Sequence, residues 1–132
     1  MFGVTSARKP TTWIGSDGVI YHDLTGFSRL SLELVKYLYS QRLRLSAKGP
    51  HRVVVLAPDI LTVEFEVQLF ASNPAMLRSV AAMAIVGQAF MVRHLTSMFL
   101  SYHAPGYPVR LFDSIHDATE WLQGQPIQQQ LG

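Results

Sequence analysis

The residues best equipped for metal binding or proton transfer are five histidines: His22, His51, His94, His103 and His116. No two stand four apart, the spacing that puts two side chains on one helical face. His94 and His103 are nine apart, ~180° around a helix, so they face opposite ways. Phe90, Met91 and Met98 surround His94 in sequence, which suits the edge of a core. No metal site is expected. The 9 acidic residues are scattered, and Glu64 and Glu66 diverge on a predicted helix. No Gly-x-Ser-x-Gly elbow and no glycine-rich phosphate loop is present. Gly15 and Gly18 flank a turn inside a hairpin, away from any strand-to-helix junction. The absence of cysteine excludes thiol catalysis, redox relays and cysteine-based metal clusters. No catalytic residue and no cofactor is therefore assigned. An enzyme would need distant carboxylates or histidines to converge in a cleft.

The elements that must position any site follow from local signals. Trp13 to Tyr21 reads as strand, Asp-Gly turn, strand, a hairpin signature. Ser31 is a plausible N-cap for a helix carrying Leu34, Val35, Leu38 and Leu45, ending near Ser46. The β-branched run Val53 to Leu56 predicts a strand covered on both faces, as in parallel sheets. Thr62 is expected to cap a second helix over residues 63–72, with Glu64 in its first turn. Asn73-Pro74 interrupts, and a short helical piece follows over 75–79. Residues 82–86 predict a buried strand ended by Gly87, and residues 88–103 a long helix. Val109 to Phe112 is the last strand. Ser114 to Asp117 resembles a capping box that opens a helix through Ala118, Trp121 and Leu122, stopped by Gly124. The order is ββαβαβαβα, an α/β domain in which an N-terminal hairpin is followed by βα units.

With 132 residues, 48% hydrophobic and 15% charged, the sequence suits one domain with a substantial core. We place a flexible segment over 1–12, the domain over 13–123 and a polar tail over 124–132. The net charge of +2 is too small to imply nucleic acid. No apolar run reaches the ~20 residues of a membrane span, and no signal peptide opens the chain, so the expected location is cytoplasmic. The bases Arg29, Lys36, Arg42, Arg44, Lys48 and Arg52 fall in a stretch whose only acid is Glu33. They read either as a solvated helix face with its exit loop or as a docking patch.

The segment Met83 to Gly87, the helix after it, Tyr107 to Phe112, and Ala118 with Trp121-Leu122 resemble small bacterial domains of unknown function. Those domains have the SpoIIAA-like fold, shared with STAS domains and anti-sigma-factor antagonists. The hairpin at Asp17-Gly18 and the strand at Val53 to Leu56 fit as well. The resemblance spans residues 13–122 and implies a fold and a regulatory, non-enzymatic role, with no reaction attached. In the antagonists a serine beside an aspartate, at the start of the helix after the third strand, is phosphorylated. Here Leu61-Thr62 stands near that point without the Asp-Ser pair. Thr62 is then either a phospho-acceptor at a helix N-terminus or a plain cap.

Two functional expectations remain. One is contact with a protein partner or a second copy of the chain. The helix over 88–103 carries Val92 and Leu100 outside its core stripe, and Lys36 and Arg44 mark the first helix, so these four are the candidate interface. The alternative is a small ligand or anion held beyond the carboxyl ends of the strands, where α/β sheets commonly bind. Asp59, Thr62, Gly87, Gln88, Asp113 and Ser114 occupy those junctions. Each also has an ordinary role in turn or cap chemistry.

Overall fold

The structure, a computed structural model, is described over residues 9–45, 49–87 and 106–127, together with Arg93 and Ser97. Strand β1 (Thr11–Ile14) begins two residues before the expected start and pairs antiparallel with β2 (Ile20–Asp23). The turn between them forms because Gly18 takes φ 80, a left-handed conformation, and Asp17 Oδ1 accepts from the Val19 N–H at 3.0 Å. Trp13 and Tyr21 face each other in register and stack at 5.4 Å.

A two-residue strand β3 (Arg29–Leu30) leads into helix α1 (Leu32–Leu45). Ser31 caps α1 as expected, its Oγ accepting from the Leu34 N–H at 3.1 Å. Strand β4 (His51–Leu56) follows, then β5 (Thr62–Val63), helix α2 (Phe65–Ala71), a 3₁₀ turn over Pro74–Arg78 and strand β6 (Val80–Val86). Strand β7 (Val109–Phe112) and a C-terminal helix (Ile115–Gln123) complete the described fold. Ser114 Oγ caps that helix through the Asp117 N–H, and Gly124 closes it. Arg93 and Ser97 are helical; the remainder of the predicted helix 88–103 lies outside the described residues.

The main sheet runs β1-β2-β4-β6-β7, with every pair parallel except β1 with β2. Val53, Val54 and Val55 are all buried because both faces of central β4 are covered. On one face Ile20, Val53 and Val55 pack under Leu38 of α1, with Phe70 of α2 and Met76 beside them. On the other, Val54, Ala82 and Ala84 meet Ala118 and Leu122 of the C-terminal helix. The alanines let that helix lie close to the sheet.

The second helix departs from expectation. Thr62 caps nothing: it lies in β5, paired in parallel with Arg29 of β3. The helix starts three residues later, at Phe65, with Glu64 in the cap position. Instead of lying in the first turn of α2, Glu64 reaches α1. Its Oε1 accepts from the Leu32 N–H at 2.8 Å, and its Oε2 pairs with Arg29 at 2.5 Å. A carboxylate thus satisfies a free N–H at the positive end of α1. The expected polar tail is tied down at its start, where the Gln125 carbonyl accepts from Arg52 Nη2 at 2.6 Å. No helix among the described residues is long and apolar enough to cross a membrane.

Candidate functional site

The strand-end positions are engaged locally. Asp59 Oδ2 accepts from the Gly26 N–H at 2.7 Å, joining the loop after β4 to the loop after β2. Gly87 is buried and donates its N–H to the Phe112 carbonyl at 3.0 Å. Asp113 forms an ion pair with Arg93, and Ser114 is the helix cap. Thr62 is exposed on β5, and Gln88 lies outside the described residues. These junctions share one edge of the sheet, and none of the five described residues among them lines either cavity described below. Of the four expected interface residues, Lys36 and Arg44 are exposed on α1, while Val92 and Leu100 lie outside the described residues. The basic stretch does not form a single patch. Arg29 is held by Glu64, Arg52 binds the Gln125 carbonyl, Arg42 is buried, and Lys48 lies outside the described residues.

The chemistry concentrates elsewhere, under α1. Arg42 is only 4% exposed, and His22 is fully buried. Arg42 Nε donates to Ser79 Oγ at 3.2 Å, one Nη donates to His22 Nε2 at 3.0 Å, and the other contacts Met76 Sδ at 3.5 Å. The guanidinium also lies 5.8 Å from the centre of the Tyr39 ring. An arginine can only donate, so His22 Nε2 must be the accepting nitrogen. The proton then sits on Nδ1 and is donated to Thr12 Oγ1 at 2.8 Å. Burial, and then the charge of Arg42, push the His22 imidazole down to about 3. Burial lowers Arg42 itself to about 10, opposed by Tyr107 and Tyr39. The Tyr107 phenol is pushed up to about 12 by burial, with Arg42 acting the other way.

No carboxylate pairs with Arg42 among the described residues. A buried cation ordinarily has one. Arg42 instead borders a cavity of about 100 Å³ between the sheet and the two helices. Val55, Met83, Ile85 and Val109 form its sheet side. Leu38, Val67 and Phe70 form its helical side, and Tyr107 is its other polar neighbour. The Tyr107 hydroxyl donates to the Ala71 carbonyl at 3.1 Å. Tyr107 also lines a second space of about 210 Å³ at the N-terminal ends of β4, β6 and β7, bounded by Pro50, Pro108 and Pro126, with no charged group among its described lining residues.

Sequence reasoning passed over this site, although two signals were present. Position 42 continues the stripe set by Leu34 and Leu38 at i+4 and i+8, so Arg42 stands on the buried side of α1. His22 follows Ile20 by two in β2 and shares its inward face. His116 has no histidine partner four residues away, but with Asp117 and Glu120 it forms a wholly exposed group on the C-terminal helix, ligand atoms within 4.8 Å of one another. Exposed charged groups at such spacing are common on solvated helices.

One antiparallel and four parallel-paired strands, with α1 and α2 on one face and the C-terminal helix on the other, define an α/β domain of the SpoIIAA-like class. The structure is similar to that of an uncharacterized protein of the DUF3478 family from Shewanella loihica PV-4, described as having a SpoIIAA-like fold. The TM-score is 0.55 at 13% identity, covering 91% of this chain and 99% of that one. Residues 12–125 match the domain of unknown function DUF7793, and the chain belongs to that family. A protein of unknown function from Arthrobacter sp. FB24 is also similar, at 19% identity and TM-score 0.33, with 89% of this chain and 96% of that one covered. No curated protein matches the sequence.

Proposed function

We propose that this domain is a non-enzymatic regulatory module that binds a small molecule in the cavity beneath α1 and α2. The observation that carries this reading is the coincidence of an apolar cavity with a buried cation that has no carboxylate partner among the described residues. Binding sites are typically apolar spaces with a few converging polar groups, and this space has that composition. The proposal keeps the ligand-binding expectation and moves its location. The ligand lies against the face of the sheet, and the strand-end loops at Asp59, Gly87 and Asp113 serve as structural connections.

The test is a chemical-shift titration of isotope-labelled protein against small organic molecules, after native mass spectrometry for any retained ligand. Perturbations should cluster on Val55, Ala57, Val67 and Ile85. Shifts confined to Asp59, Gly87 and Ser114 would favour the strand-end site instead. No perturbation by any compound would remove the proposal.

Protein contact is the second reading, supported by the apolar side chains Leu61 and Leu69, which are 54% and 48% exposed around α2. Light scattering of Leu69→Glu separates the two. A fall in mass relative to the native chain would favour self-association, and an unchanged mass would leave the cavity as the better-supported reading.

A further inference from the structure

The hydrogen-bond inventory of Arg42 narrows the ligand. A guanidinium carries five N–H groups in a fixed planar fork. Ser79, His22 and Met76 take one each, leaving one on each terminal nitrogen without a protein acceptor among the described residues. Two parallel N–H groups match the two oxygens of a carboxylate. Among the described residues the remaining boundary of the cavity is aliphatic or aromatic, which suits an apolar body for the rest of the ligand. Size adds a third constraint. An engineered apolar cavity of about 150 Å³ accommodates benzene. A space of about 100 Å³ therefore suits roughly four or five heavy atoms. His22 supports the same polarity. Its Nε2 lone pair is taken by Arg42 and its Nδ1 proton by Thr12, so of the two groups Arg42, which lines the cavity, is the one with N–H donors to spare.

Resting on the cavity reading above, we infer that the ligand is a short monocarboxylate with a compact apolar tail, its carboxylate held by the two terminal nitrogens of Arg42. The chemistry distinguishes it from a phosphate ester, whose larger and more strongly hydrated head would have to enter an apolar space. It also distinguishes the ligand from a neutral hydrocarbon, which would leave the guanidinium unpaired.

The experiment compares propionate with its neutral isostere propionamide on the intact, isotope-labelled chain by chemical-shift titration near pH 7. Propionate should bind at least tenfold more tightly, with shifts at Val55 and Ile85. In Arg42→Met the preference should fall to within twofold, with native-like dispersion of the spectrum confirming that the variant folds. Arg42→Lys keeps the charge but loses the planar fork and should retain only part of the preference. Equal binding of the two compounds to the native chain overturns the carboxylate assignment while leaving the cavity reading intact. Absence of binding by both overturns the carboxylate assignment, and absence of binding by every member of the wider panel overturns the cavity reading as well. The comparison in the native chain stands even if the Arg42 variants fail to fold.

Discussion

Acid should destabilise this domain through one buried histidine. His22 has a folded value of about 3, against 6.5 for the unfolded chain. Its folded value is depressed, so between these limits the unfolded state binds more protons. Stability therefore falls as pH drops through that window. The magnitude follows from linkage, at ~1.4 kcal/mol per unit of separation. Between pH 7 and pH 5 the loss assigned to His22 is about 2 kcal/mol, and by pH 4 it is about 3 kcal/mol. The physical origin is first the burial of the imidazole, and then the second positive charge that protonating Nε2 would place 3.0 Å from the Arg42 nitrogen that now donates to it. Urea denaturation followed by the fluorescence of Trp13 and Trp121 at pH 7, 6 and 5 measures the slope. The control is His22→Gln, whose amide oxygen can accept from Arg42 and whose amide nitrogen can donate to Thr12, yet which does not titrate. The other histidines are common to both proteins, so the comparison isolates position 22. The native chain should lose about 2 kcal/mol more than the variant over this range. Parallel slopes would refute the assignment, and a native chain that gains stability in acid would reverse its sign.

Three further outcomes follow from other contacts. Arg42→Met removes the smaller of the two causes that depress His22, so its acid-induced loss over the same urea series should be smaller than in the native chain without vanishing. Glu64→Gln weakens both the cap on the Leu32 N–H and the pair with Arg29, and should cost about 1 kcal/mol, read from the urea midpoint at pH 7. Ala84→Leu forces a larger side chain into the contact between β6 and the C-terminal helix. It should cost about 1–3 kcal/mol or more, read as a lower melting temperature by circular dichroism.

What was legible in the sequence was whatever a few neighbouring residues decide together. Asp17-Gly18 specifies a turn by itself, Ser31 and Ser114 announce helix starts, and an unbroken Val53-Val54-Val55 run can be satisfied only by covering both faces. Thr62 failed for the converse reason. A hydroxyl before an apolar stretch is a cap signal, but the two-residue pairing of β5 with β3 joins residues 33 positions apart. That pairing leaves no local trace, and it moved Glu64 from one helix's first turn to another helix's end. The candidate site was obscured in a similar way. Arg42 stands among Lys36, Arg44 and Lys48 and looks like one more solvated base; only its place on the Leu34–Leu38 stripe distinguishes it. That His22, Ser79 and Arg42 meet depends on the three-dimensional arrangement of α1, β2 and the residue before β6.

The energetics of the site bear on why such an arrangement would persist. Lowering an arginine from 12.5 to about 10 corresponds to a penalty on the order of 3 kcal/mol for keeping it charged at neutral pH. An unfilled space of about 100 Å³ costs roughly 2 kcal/mol more than a packed one. Together these approach the lower end of the 5–15 kcal/mol that typically separates folded from unfolded domains, so they are large on the scale of the whole molecule, roughly a third or more of it. Apolar replacement of buried charge is often neutral or stabilising, which makes a leucine or methionine at position 42 the simpler solution for stability alone. The two costs also have one remedy in common. A ligand with an anionic head and an apolar body would neutralise the cation and fill the space at once, whereas an anion at the strand ends or a partner on α2 would relieve neither. Binding energy drawn from both sources would then appear as a ligand-dependent gain in stability, and that coupling would give a small domain without an assigned reaction a means of sensing what it holds.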